Sequence, residues 1–118
     1  MHRSRSRTLL LALVALLAVP SAASAATLVG EVGPGSTIVL RTQTGVRVQT
    51  VRAGSTWTIV VRDRSTAHNF RLAGPGFARQ TSLAFTGTAT WTVTFRAGTW
   101  RYVCVPHADH MSGSVRAR

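Results

Sequence analysis

From Thr56 to Arg62 the chain alternates. Trp57, Ile59 and Val61 fall on one side, and Thr56, Thr58, Val60 and Arg62 on the other. From Thr90 to Arg96 it alternates again, with Trp91, Val93 and Phe95 set against Thr90, Thr92, Thr94 and Arg96. A hydrophobic period of two is the mark of a strand with one face on a core. The stretches "STIVLR" and "GVRVQT" are weaker versions of the same pattern. In "TWRYVCV", Trp100, Tyr102 and Cys104 share one parity, so the pattern directs all three inward and puts Cys104 near a strand end.

Glycine and proline punctuate these segments: "GPGS" at 33–36, "TG" at 44–45, "AG" at 53–54, "GPG" at 74–76 and "AG" at 97–98. After Cys104, "PHADHMSG" reads as a loop, because Pro106 cannot donate to a sheet ladder, and "SVRAR" reads as a final strand. No segment beyond residue 25 has helical periodicity. Short strands at this spacing predict an all-β sandwich or barrel. The similar segments "VRAGSTWTIVV" and "FRAGTWRYVCV" are read as one turn chemistry used twice, a glycine turn feeding a strand with a buried tryptophan.

The first 25 residues follow another rule. Arg3, Arg5 and Arg7 precede an apolar run from Leu9 to Val19, and Ala23-Ser24-Ala25 makes an A-x-A site. That order predicts a signal peptide over 1–25, cleaved near Ala25, and a domain over 26–118 in the extracytoplasmic space. An 11-residue apolar run is too short to cross a bilayer. The arginines form no twin pair, so the chain is expected to cross unfolded and to acquire any metal outside.

Composition sharpens this picture. All 14 basic residues are arginine, against Glu31, Asp63 and Asp109. The arginines are scattered singly at strand ends and on polar faces, and no nucleic-acid module is visible, so the charge is read as a soluble positive surface, with steering toward an acidic partner or an anionic envelope surface as a secondary reading. Cys104 is the one cysteine, so the domain must hold together without an internal disulfide. An odd cysteine in an exported chain calls for an intermolecular bridge, a reactive thiol or a bound metal.

The third answer is favoured by what surrounds it. Cys104, His107 and Met111 make C-x2-H-x3-M in one loop. Thiolate, imidazole and thioether are the ligand types of a soft, one-electron metal, and two histidines with a cysteine and a long axial methionine make the blue-copper arrangement. One more histidine is required. Beyond residue 25 there are His68, His107 and His110; His110 shares the loop and is followed directly by Met111, which leaves His68.

"HNF" after a strand, with "Y-x-C-x-P-H-x-x-x-M-x-G-x-V" at the end of the chain, resembles the cupredoxins, in particular the small exported plastocyanin-like and azurin-like copper proteins of bacteria. The resemblance implies a Greek-key β-sandwich holding one copper, Cu(I)/Cu(II), at one end. It implies His68, Cys104 and His107 as equatorial ligands and Met111 as the axial one. It implies that Asn69 ties the two loops together and donates toward the Cys104 thiolate. The gap between His107 and Met111 departs from the pattern of plastocyanins and of amicyanins. His110 fits no ligand position and is expected to be exposed; Arg71 is expected to place a positive charge near the site.

The implied function is that of a monomeric single-electron carrier working with a redox partner protein, with copper storage, delivery or resistance as the alternative. His107 is the expected electron portal, among Pro106, Phe77, Leu72 and Ala108. An enzyme is not expected, because no histidines remain for a further metal site.

Overall fold

The computed structural model describes residues 11–15 and 25–118, so the signal-peptide expectation lies almost wholly outside the described residues. The strands are β1 (Ala26–Val32), β2 (Ile38–Thr42), β3 (Thr50–Val51), β4 (Ser55–Asp63), β5 (Arg71–Gly74), β6 (Phe77–Gln80), β7 (Gly87–Phe95), β8 (Gly98–Val103) and β9 (Ser112–Ala117). They form two sheets, ordered β2-β1-β4-β7 and β3-β9-β8-β5-β6. A single 3-10 turn, Val105–His107, interrupts the β pattern among the described residues. No helix among them is long and apolar enough to cross a membrane.

The alternating segments become the strands they predict. Ile59 and Val61 of β4 and Trp91, Val93 and Phe95 of β7 are buried, while Thr56, Arg62, Thr90, Thr92 and Thr94 are exposed. The two strands pair antiparallel, with Ile59 opposite Trp91 and Trp57 opposite Val93. Trp57, on the same parity, is half-buried and packs against the core. Trp100, Tyr102 and Cys104 all face the core, as their common parity requires.

The stretch "GVRVQT" differs from expectation. Only Thr50 and Val51 enter a strand, parallel to β9, and Arg47 makes one isolated bridge to Arg41. Here the chain leaves β2 at the edge of one sheet and crosses to β3 at the edge of the other. Its alternation breaks down: Val46 and Val48 share one parity, yet Val48 is buried and Val46 exposed, and no single neighbour runs alongside long enough to make a ladder. β1 shows the opposite case. Leu28, Val29 and Gly30 are buried in succession, in a strand that is paired along both edges, antiparallel to β2 and parallel to β4.

Three connections meet at one end of the sandwich. Residues 64–70 arch from β4 to β5, residues 81–86 return from β6 to β7, and residues 104–111 join β8 to β9. Two aromatic rings support this end from below. Phe70, at the close of the first arch, stacks on Tyr102 with ring centroids 5.8 Å apart and planes at 7°. Tyr102 lies against Gly113, where an added Cβ would overlap its ring. A glycine is therefore required two residues after Met111 to admit the tyrosine that precedes Cys104.

Candidate metal centre

The centre is built from two loops. His68 sits in the 64–70 arch and is buried. Cys104 follows β8 directly and is fully buried; the chain then makes its 3-10 turn through Val105, Pro106 and His107, with His107 half-buried. The turn is locked by its own backbone. The His107 N–H donates to the Cys104 carbonyl at 3.0 Å, the Met111 N–H to the His107 carbonyl at 2.8 Å, and the Cys104 N–H to the Met111 carbonyl at 2.9 Å. Met111 thus closes the loop beside Cys104 with its side chain buried in the core. Arg101 of β8 braces the loop from outside, donating from Nη2 to the Ala108 carbonyl at 3.0 Å.

His68, Cys104 and His107 bring their ligand atoms together. The two Nδ1 atoms are 3.1 Å apart, and Cys104 Sγ lies 3.7 Å from His68 Nδ1 and 3.5 Å from His107 Nδ1. A triangle with those edges has its equidistant point about 2 Å from each corner, the length of a metal–imidazole bond. The donors are two imidazole nitrogens and a thiol sulfur. Both histidines present Nδ1, which leaves Nε2 directed away from the cluster. The set therefore fits a soft, thiophilic transition ion in size and in chemistry.

Asn69 joins the two loops. Its backbone N–H points at Cys104 Sγ from 3.4 Å, its Oδ1 accepts from the Val105 N–H at 2.8 Å, and its Nδ2 donates to the Thr81 carbonyl at 3.1 Å. The partners fix the orientation of the side-chain amide, since its oxygen must face an N–H and its nitrogen a carbonyl. The donor toward sulfur is the backbone amide of Asn69, while its side chain does the tying.

Other expected residues fall elsewhere. His110 is exposed and bonds Asp109 at 2.9 Å, outside the cluster, with its ring centroid 5.4 Å from that of His107. This contact, more than the nearby histidine charges, holds the Asp109 carboxyl below its usual range. Arg71 opens β5 opposite Val103, the residue before Cys104. Two members of the expected apolar rim are turned elsewhere: Leu72 is fully buried, and half-buried Phe77 packs against the core beside Trp91 and Trp100. The expected Pro106, exposed, and Ala108, half-buried, do adjoin His107 in the loop, and exposed Val105 joins them.

Asp63 and Thr81 went unnoticed in the sequence. Both are buried, and the Thr81 hydroxyl donates to Asp63 Oδ2 at 2.7 Å. Asp63 had a signal, since it shares the inward parity of Ile59 and Val61. Thr81 had none.

The fold is that of the cupredoxins, and the chain resembles that family in the order and spacing of its histidine, cysteine and methionine residues. It is similar to auracyanin A, a blue copper protein from the green thermophilic photosynthetic bacterium Chloroflexus aurantiacus, with a TM-score of 0.56 and 19% identity over 80% of this chain and 100% of that one. It is similar to rusticyanin from Thiobacillus ferrooxidans, with a TM-score of 0.57 and 19% identity over 82% of this chain and 79% of that one. It is also similar to a chain in a heme-copper terminal oxidase dimer, with a TM-score of 0.55 and 14% identity over 78% of this chain and 63% of that one. No family model matches the sequence, and no curated protein matches it.

Proposed function

We propose that this protein is a type 1 copper protein and a single-electron carrier of the extracytoplasmic space. His68, Cys104 and His107 are its equatorial ligands and Met111 its axial one. The observation that carries this reading is the triangle of two Nδ1 atoms and one Sγ, with edges of 3.1, 3.5 and 3.7 Å, at the end of a sandwich shared with blue copper proteins. Copper, when bound, supplies a one-electron couple.

The protein contributes rigidity and polarity. Cys104 and Met111 are joined by the Cys104 N–H on the Met111 carbonyl, the Met111 N–H bonds His107, and His68 is held by an arch whose Asn69 bonds both other loops. Ligands anchored in this way move little between oxidation states that prefer different geometries. The Asn69 N–H withdraws electron density from the thiolate and favours the reduced state. His107, half-buried and rimmed by Val105, Pro106 and Ala108, is the route by which an electron passes to a partner.

The test is a Cu(II) titration of the purified protein followed by visible absorption, alongside Cys104→Ser. An intense thiolate-to-copper band saturating at one equivalent, and absent from the variant, is expected. A titration with no such band, or copper lost to a mild chelator, would sink the electron-carrier reading and leave copper handling in its place.

A further inference from the structure

Asp63 ends β4 as a buried carboxylate, 2% exposed. Among the described residues no arginine or histidine lies within ion-pair distance of it; the ion pairs there are those of Glu31 with Arg41 and Arg64 and of Asp109 with His110. Burying a carboxylate without a cation carries a large desolvation cost, so its acceptor atoms must be satisfied by other groups.

Asp63 uses both oxygens. Oδ1 accepts the Ser65 N–H at 3.2 Å and Oδ2 accepts the Thr81 hydroxyl at 2.7 Å. The direction of the second bond is fixed, because Thr81 Oγ1 already accepts the Phe70 N–H at 3.0 Å and has one proton to give. The Thr81 N–H in turn donates to the Phe70 carbonyl at 3.0 Å. Thr81 and Phe70 are thereby locked face to face. The carboxylate thus grips the 64–70 arch at both ends, at Ser65 directly and at Phe70 through Thr81. Between those ends lie His68 and the Asn69 N–H that points at Cys104 Sγ.

We propose that Asp63, acting through Thr81, is a positioning residue of the metal centre. It holds the arch so that the Asn69 N–H stays on the Cys104 sulfur and the Asn69 side chain stays on the 104–111 loop. This inference rests on the copper reading above for its consequence, but the clamp itself exists without metal. A neutral side chain with one acceptor would hold one end of the arch and release the other.

The experiment compares wild type with Thr81→Val, which removes the hydroxyl and keeps the shape, and with Thr81→Ser, which restores the hydroxyl. In the metal-free protein, hydrogen exchange at the Asn69 and Val105 amides is expected to quicken about tenfold in Thr81→Val, with β4 and β7 amides unchanged and Thr81→Ser like wild type. In the Cu(II)-loaded protein, the thiolate band shifts and the reduction potential falls in Thr81→Val, because the sulfur keeps more of its electron density; Thr81→Ser returns both.

Wild-type exchange in Thr81→Val overturns the proposal. So does quickened exchange with an unmoved band and potential, which would make the pair a structural clamp only. If Thr81→Val does not fold, Asp63→Asn is read in the same way, since its single amide oxygen cannot accept from both the Ser65 N–H and the Thr81 hydroxyl. A wild-type protein that forms no thiolate band refutes the copper reading, and the exchange measurement then decides the clamp alone.

Discussion

His68 Nδ1 and His107 Nδ1 face each other at 3.1 Å across the mouth of Cys104, although the two residues are 39 positions apart in the chain. Their rings meet edge to face with centroids 4.9 Å apart. Two imidazole nitrogens this close share either a proton or a cation, and here a thiol sulfur faces both. The contact joins the arch between sheets to the loop after β8, so whatever occupies it also fastens the two loops together.

Copper should therefore act as a structural fastener. A ligand present at a thousand times its dissociation constant stabilises the folded state by about 4 kcal/mol. In a domain of this size each kcal/mol is worth about 4–8 °C. Scanning calorimetry should show a melting temperature about 15 °C or more above that of the chelator-treated protein. His68→Ala should melt like the metal-free protein whether or not copper is added.

The two histidines of the 104–111 loop should behave differently. His110 is solvent-facing, and its ring bonds Asp109 rather than the cluster. His110→Ala should leave copper stoichiometry and the thiolate band unchanged, whereas His107→Ala should abolish the band at one equivalent of Cu(II). Equal loss in both variants would place the ligand set one residue frame away from the triangle.

Asn69 should matter for stability before any metal is added. Removing its side chain strands the Thr81 carbonyl in a buried place and frees the part-buried Val105 N–H. Each unsatisfied group costs about 1–3 kcal/mol, so Asn69→Ala should lose about 2–4 kcal/mol of folding free energy by urea denaturation of the metal-free protein. Asn69→Asp keeps the acceptor for Val105 and should lose less.

Much of this was legible in the sequence because strands announce their inward face by parity. β4, β7 and β8 were readable from Trp57 to Val61, Trp91 to Phe95 and Trp100 to Cys104, and the ligand loop from the crowding of sulfur and histidine after Cys104. What was hidden depended on crossings between sheets. The 45–50 stretch alternates like a strand but changes partners midway. Leu72 and Phe77 looked available for a surface patch because nothing local shows that β5 and β6 turn those side chains into the core. The Asp63–Thr81 bond links residues 18 positions apart through side chains alone, and no periodicity reports that.

The contact of Tyr102 with Gly113 tests the floor of the site. A methyl at residue 113 would overlap the tyrosine ring, and the ring is stacked on Phe70 with no room to retreat. Gly113→Ala should cost about 1–3 kcal/mol as an overpacking defect. The Tyr102 hydroxyl is buried without a hydrogen-bond partner among the described residues. Tyr102→Phe should therefore be neutral or stabilising by about 1 kcal/mol, since it removes a desolvated polar group. Urea midpoints in the metal-free protein check both, and a destabilised Tyr102→Phe would show that the hydroxyl is satisfied.

Charge should set the choice of redox partner. Residues 26–118 carry 11 arginines and three carboxylates. Of those carboxylates, Asp63 is buried and Glu31 is paired with Arg41 and Arg64, which leaves Asp109 as the one fully exposed acid. Arg101, exposed on β8, reaches the backbone of the His107 loop itself and brings its charge beside the proposed portal. An anionic reagent approaching His107 thus meets an attractive field, and a cationic one a repulsive field, both damped within about 8–10 Å at physiological salt. Stopped-flow reduction of the Cu(II) protein should be faster with an anionic metal complex than with a cationic one of equal driving force. Added salt should slow the first reaction and quicken the second. Arg101→Gln should narrow the difference while leaving the thiolate band in place. Rates independent of salt with both reagents would mean that the arginine surface plays no part in docking at His107.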